Sequence, residues 1–180
     1  GGDAAGMSAA SQIRRAQSAW EVVVLEKGDF TSYAACGIPY LIAGDVESID
    51  ELIVVTPDEF RQKRGLDVRM GWEATAIDPL RQRVTARHSE GSEELPYDRL
   101  LIATGAAPVL PSWAGLDLEG VTVLRNLTDT RNLLAHFADI PTERAVIIGA
   151  GYVGLEMAEA LGRRGVEVSV VEKEDGVMGG

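Results

Sequence analysis

One pattern occurs twice in this chain and limits what it can fold into. The first copy runs Gly1-Gly2-Asp3-Ala4-Ala5-Gly6 into the helical stretch MSAASQIRR and then the strand EVVVLEK. The second runs Gly149-Ala150-Gly151-Tyr152-Val153-Gly154 into LEMAEALGRR and then VEVSVVEK. In both, a glycine-rich turn leads into an Ala/Leu/Met-rich helix, a basic pair and a Val-rich strand ending in Glu-Lys. Glu26 follows Gly1 by 25 positions and Glu172 follows Gly149 by 23, close to the spacing of about 20 that separates a phosphate-binding turn from its ribose-binding acid. Glycines there permit a tight turn, backbone approach to a pyrophosphate and close helix–strand packing, with the anion at a helix N-terminus. The pattern therefore predicts an α/β protein with two Rossmann-like dinucleotide-binding modules on one chain.

Arg144 to Ile148 supplies the strand that should precede the second turn. The first turn begins at residue 1, and the chain ends at Gly179-Gly180 soon after Glu172, so the expectation is a fragment lacking the first strand and the C-terminal half of a larger protein. Between the copies, Asp67 to Met70, Ala74 to Ile77 and Arg83 to Ala86, with a polar turn at His88 to Gly91, read as a small antiparallel meander. Tyr97 to Gly105 reads as a buried strand entering a tight turn, and Pro108, Pro111 and Gly115 as a crossover. Thr128 is the expected N-cap of a helix from Asp129 to Ala138. The division this implies is residues 1–112 for the first module and 113–180 for the second.

Composition narrows the partners. With 17 Lys and Arg against 28 Asp and Glu, the net charge is −11, which argues against nucleic acid and an anionic membrane surface, since both demand clustered positive charge. At 46% hydrophobic and 25% charged the 180 residues can build a core. No apolar run reaches the 18 or more residues of a membrane helix, and no signal peptide opens the chain. A single cysteine excludes an intrachain disulfide, a multi-cysteine zinc site and an iron–sulfur cluster; no metal is expected, and a cytoplasmic setting fits.

In the second turn Gly149, Gly151 and Gly154 complete the fingerprint. Glu172 accepts from a ribose and repels a 2′-phosphate, favouring NADH over NADPH. In the first turn Gly1 and Gly6 are in place, but Asp3 stands where the middle glycine would be, awkward beside a pyrophosphate unless it points away. Cys36 has two readings, a small buried hydrophobe or a thiol at a helix N-terminus, since Pro39 suits a first helical turn and the dipole there favours thiolate. His88 and His136 read as solvated residues.

Five segments, GGDAAGMSAASQIRR, LEKGDFTSYAACGIPY, TPDEF, YDRLLIATG and GAGYVGLEMAEAL, together resemble the pyridine nucleotide-disulfide oxidoreductases over the whole chain. The likeness is to the single-cysteine branch of CoA-disulfide reductases, NADH oxidases and NADH peroxidases. It implies FAD in the first module, NADH or NADPH in the second, Cys36 as the redox-active cysteine, a small-molecule disulfide as substrate, and a homodimer for the full-length protein. By the same resemblance Glu26 and Lys27 bind the FAD ribose end, Ala74 the adenine, and Thr104-Gly105 close over the cofactor. Tyr152 would shield the flavin and Glu156 lie near its edge; plain helix packing is the alternative for both. The oxidases and peroxidases carry a histidine where Ala4 stands, which favours the CoA-disulfide reductases. There the residues matching Ser8, Gln12, Arg15, Ser32 and Arg64 contact CoA, although here the arginines also read as solvated helix charges, and Ala35 departs from a common Asn. Two other readings stay open: oxygen or peroxide as acceptor through a sulfenic acid on Cys36, and a non-catalytic nucleotide-binding or electron-transfer module.

Overall fold

The computed structural model describes residues 1–178; Gly179 and Gly180 lie outside the described residues. In chain order the elements are α1 (Ala4–Ala16), β1 (Val23–Glu26), a 3-10 turn (Ala35–Gly37), α2 (Ile38–Ala43), a second 3-10 turn (Ile49–Leu52), α3 (Pro57–Arg64), β2 (Asp67–Met70), β3 (Glu73–Asp78), β4 (Arg83–His88), β5 (Gly91–Pro96), α4 (Leu127–Asp139), β6 (Arg144–Ile148), α5 (Tyr152–Arg163) and β7 (Glu167–Val171). They form two compact units, residues 1–33 with 53–107, and residues 34–52 with 108–180. Residues 34–52, well ahead of the expected boundary at 112/113, pack in the second unit.

In the first unit β1 and β2 pair in parallel, Val23 opposite Asp67 through Glu26 opposite Met70. Met7 and Ala10, one turn apart on α1, meet Val24, Phe60, Leu66 and Val68 in the core, and burying a Phe60-sized side chain is worth roughly 1.5–3 kcal/mol. The helix that delivers Phe60 is bounded locally: Thr56 and Glu59 form a reciprocal capping box at the start of α3, and Gly65 at φ 62° ends it. Asp67–Met70 was expected in the meander; its apolar Val68 instead belongs to the core of the parallel pair. The meander is β3-β4-β5, and its third strand, Gly91–Pro96, carries little apolar pattern of its own.

Tyr97 to Gly105 is not a buried strand. Leu100, Leu101 and Ile102 are 40%, 58% and 65% exposed, and no described strand pairs with them. Their apolar character was legible; their lack of a strand partner was not.

In the second unit β6 and β7 pair in parallel from Arg144 opposite Glu167 to Ile148 opposite Val171. Met157, Ala160 and Leu161 line the buried face of α5. The cap of α4 lies two residues before the expected Thr128: Asn126 is the N-cap, accepting from the Asp129 N–H at 2.9 Å while Asp129 accepts from the Asn126 N–H at 3.3 Å. Neither histidine is simply solvated. His88 stacks on Trp72 with ring centroids 4.2 Å apart, and His136 meets Phe137 edge-on at 6.2 Å. Among the described residues no helix is long and apolar enough to cross a membrane, and no His/Cys/Asp/Glu group could hold a metal ion.

Candidate functional site

The two glycine turns are built alike. In the first, Glu26 at the end of β1 accepts from the Gly2 N–H through Oε2 and from the Gly28 N–H through Oε1, both at 2.6 Å. In the second, Glu172, one residue past β7, accepts from the Ala150 N–H through Oε2 at 2.7 Å, and from the Lys173 and Glu174 N–H groups through Oε1 at 2.7 and 3.1 Å. These bonds, that from Ala150 foremost, hold the Glu172 carboxyl below the usual carboxylate range. Each acid thus braces its own turn, and a carboxylate with about four lone-pair sites still has acceptor capacity for a ribose hydroxyl.

Helix and turn approach within the reach of a single methyl. A Cβ on Gly6 would lie 1.8 Å from the Gly1 carbonyl oxygen, and one on Gly154 would lie 2.0 Å from that of Gly149. Gly1 is closed by another route, since its Cβ would meet the Ala103 carbonyl oxygen at 2.0 Å and Thr104 Cα at 3.5 Å. Thr104 therefore lies beside the first turn, followed by Gly105 at φ 70°. Gly151, the N-cap of α5, differs: a Cβ there meets nothing within 4 Å and its φ of −77° suits any residue. The protein does not need that glycine; a ligand approaching the backbone would.

At the equivalent position Asp3 is the N-cap of α1 yet makes no side-chain cap bond. Its Oδ1 is buried and has no hydrogen-bond partner among the described residues, so this oxygen is covered by protein rather than aimed into solvent. The general rule that an N-cap acid bonds the start of its helix fails here, and the sequence signal, Asp inside a glycine fingerprint, was already visible. Gly2 was overlooked. Its Cβ would come within 2.8 Å of Glu26 Cβ and 3.0 Å of Thr31 Cγ2.

Cys36 is exposed. It sits in the 3-10 turn one residue before Gly37, the N-cap of α2, with Pro39 in that helix's first turn as expected. A Cβ on Gly37 would strike Leu52 Cδ2 at 2.4 Å, which fixes the backbone immediately after the thiol. Cys36 belongs to the second unit together with Gly149, Gly151, Gly154, Glu172 and the exposed Tyr152 and Glu156 of α5.

The remaining residues singled out lie in the first unit. Ser8, Gln12 and Arg15 are exposed along α1, with Arg15 donating to Gln12 at 2.8 Å. Arg64 donates to Ser11 of the same helix at 3.1 Å and lies over the Phe60 ring. Ser32 takes a left-handed φ of 45°, and its N–H donates to the Gly2 carbonyl at 3.1 Å. Ala74 is exposed beside the register shift in β3. Lys27 lines a shallow cleft of about 350 Å³ with Gly71, Glu73, Arg87, His88 and Ser89, all within the first unit.

The sequence profile of the pyridine nucleotide-disulphide oxidoreductases matches residues 1–180. The chain belongs to this family. It is 36% identical over 179 residues to a protein of Methanocaldococcus jannaschii named NADH oxidase, covering 99% of this chain and 40% of that one. It is likewise 36% identical over 178 residues to the NAD(P)H coenzyme A polysulfide/persulfide reductase of Pyrococcus horikoshii, covering 99% and 39%. The crystal structure of reduced Bacillus anthracis CoADR-RHD superposes with a TM-score of 0.96 at 33% identity, covering 99% of this chain and 32% of that one. This family chain thus spans about two fifths of the length of the curated relatives it matches. The expected α/β fold of two dinucleotide-binding modules is the fold of these relatives, and relatives in the family bind FAD and NAD(P)H.

Proposed function

We propose that this chain carries the two dinucleotide turns and the reactive cysteine of an FAD-dependent NAD(P)H oxidoreductase that reduces CoA disulfide or a related small disulfide or persulfide. The observation that carries this reading is Cys36: the chain's single cysteine is exposed at the head of α2, in the same compact unit as the second glycine turn.

The residues fit the cofactors. Gly1 and Gly6 let turn and helix close, and Glu26 presents acceptor capacity where the adenosine ribose of FAD would lie, with Lys27 beside it, Ala74 offering backbone to the adenine and Thr104-Gly105 alongside. Residues 1–112 would serve FAD and 113–180 the nicotinamide dinucleotide. There Gly149 turns the chain at a positive φ, Gly151 leaves the backbone open and Gly154 lets the helix pack on the turn, Glu172 holds the ribose and favours NADH, and exposed Tyr152 and Glu156 stand at the start of α5. FAD, when bound, takes two electrons as hydride from the reduced nicotinamide and makes them available to sulfur. The Cys36 thiolate attacks one sulfur of the substrate, its new S–S bond forming as the old one breaks and one thiolate leaves. Two electrons and a proton then release the second thiol and return Cys36 to the thiolate. Ser8, Gln12, Arg15, Ser32 and Arg64 supply polar and positive groups for CoA in an otherwise acidic protein.

In the full-length protein, Cys36→Ser should abolish CoA-disulfide turnover while leaving FAD bound; full turnover by that variant would overturn the reading. The likeness to a named NADH oxidase supports a second reading, with oxygen or peroxide as acceptor and a sulfenic acid on Cys36. NADH oxidation that needs oxygen and ignores disulfides would select it.

A further inference from the structure

We infer that Arg163 and Arg164, at the end of α5, are positioning residues for Cys36: they hold the far end of α2 and so fix the segment that carries the thiol to the helix that opens on the second glycine turn. This rests on the proposed role of Cys36. The Arg163 guanidinium grips Asp45 as a two-pronged fork, Nη1 to Oδ2 at 2.5 Å and Nη2 to Oδ1 at 2.7 Å, a geometry that restricts orientation as well as distance. Arg164 donates through Nη1 to the Ile42 carbonyl at 2.9 Å and lies 5.3 Å over the Phe137 ring of α4. Both anchors fall at the C-terminal end of α2, where helices leave carbonyl groups without internal partners.

A six-residue helix does not stand alone. The Gly44 N–H closes the Leu41 carbonyl at 3.2 Å and the Asp45 N–H the Tyr40 carbonyl at 2.9 Å; Ile42, fully buried, has its carbonyl satisfied by Arg164. The opposite end of α2 is Gly37, wedged against Leu52, with Cys36 immediately before it. The Arg163–Asp45 side chains are 49% and 35% exposed, so the pair contributes little to global stability, and its consequence is placement. The same basic pair that marked the repeat in sequence therefore has different work in its two copies: in the first, Arg15 stays on its own helix with Gln12.

The test uses the full-length holoprotein with Arg163→Asp, Asp45→Arg, the charge-swapped double variant, and Arg163→Lys, which keeps the charge but loses the fork. Each single reversal should slow disulfide turnover about tenfold, because small displacements of a reacting atom are costly, with KM for NAD(P)H and bound FAD unchanged. Amide hydrogen exchange across Tyr40 to Gly44 should quicken in the single reversals and recover, with turnover, in the double; Arg163→Lys should fall between. Wild-type turnover and exchange in the single reversals, or a double no better than either, would overturn the inference. If Cys36→Ser keeps turnover, the proposed function falls, and exchange with its recovery in the double still decides whether the latch exists.

Discussion

The first and second glycine turns share a plan and part at the helix cap. In each, an acid at or just past the end of the next strand accepts the second N–H of the turn, Gly2 to Glu26 at 2.6 Å and Ala150 to Glu172 at 2.7 Å, and in each the glycine that closes the fingerprint, Gly6 or Gly154, lets the helix sit on the turn. At the helix cap, however, Asp3 faces Gly151. The shared parts are those the fold itself requires, because a side chain would collide with backbone; the differing part is one the fold leaves open. The comparison separates glycines kept by packing from a glycine that only an incoming ligand can use.

The largest expected effect tests the shared part. Gly6→Ala and Gly154→Ala each drive a methyl to about 2 Å from a carbonyl oxygen, and overpacking against backbone has no flexible side chain to relieve it. Each should cost on the order of 3 kcal/mol or more, seen as loss of soluble holoprotein or a large fall in Tm. A normal Tm in either variant would mean that helix and turn are not in contact as described, and the likeness of the two turns would fail there.

The differing position gives a smaller and more selective effect. Gly151→Asp, which places in the second turn what the first already has, should leave Tm unchanged and weaken NAD(P)H binding tenfold or more, since a carboxylate would meet the pyrophosphate at close range. The converse change, Asp3→Gly, removes an acid that makes no cap bond and leaves one oxygen buried without a partner. It should therefore not cost the roughly 0.5–2 kcal/mol usual for losing an N-cap acid, and FAD binding should hold or tighten. A clear loss of stability in Asp3→Gly would show that Asp3 caps α1 in solution.

Much of this was legible from the sequence because the signals were local. The glycine spacing, the Val-rich strands and the Glu-Lys ends sit within about 25 residues, and Asp67 to Met70 was bounded correctly as a strand. Its partner was not, because pairing with Val23 to Glu26 depends on which core Val68 enters. Gly91-Ser92-Glu93-Glu94-Leu95-Pro96 forms a strand only because β4 offers it an edge; its composition reads as loop. Asn126 with Asp129 is a capping box that was in the sequence all along, hidden by a more familiar threonine two positions later. The site was less legible. Asp45 and Arg163 are separated by 118 positions and Ile42 and Arg164 by 122, and no spacing rule anticipates that the cysteine segment packs with the second turn's helix rather than among its sequence neighbours.

The smallest effect concerns the acid of the second turn. Hydrogen bonds from Ala150, then Glu174 and Lys173, hold Glu172 below the usual carboxylate range. A folded value depressed in this way contributes stability that is present above the unfolded value and is lost as pH falls through the folded one. The carboxyl resonance of Glu172 should accordingly titrate at a lower pH than those of exposed glutamates without backbone partners. Glu172→Gln should remove that part of the acid-side stability loss while leaving the curve above the ordinary carboxylate range with the same slope. Because the group is solvent-accessible the shift in Tm should be small. A titration midpoint in or above the usual range would mean that the Ala150 bond is absent in solution, and with it the bracing that makes the second turn resemble the first.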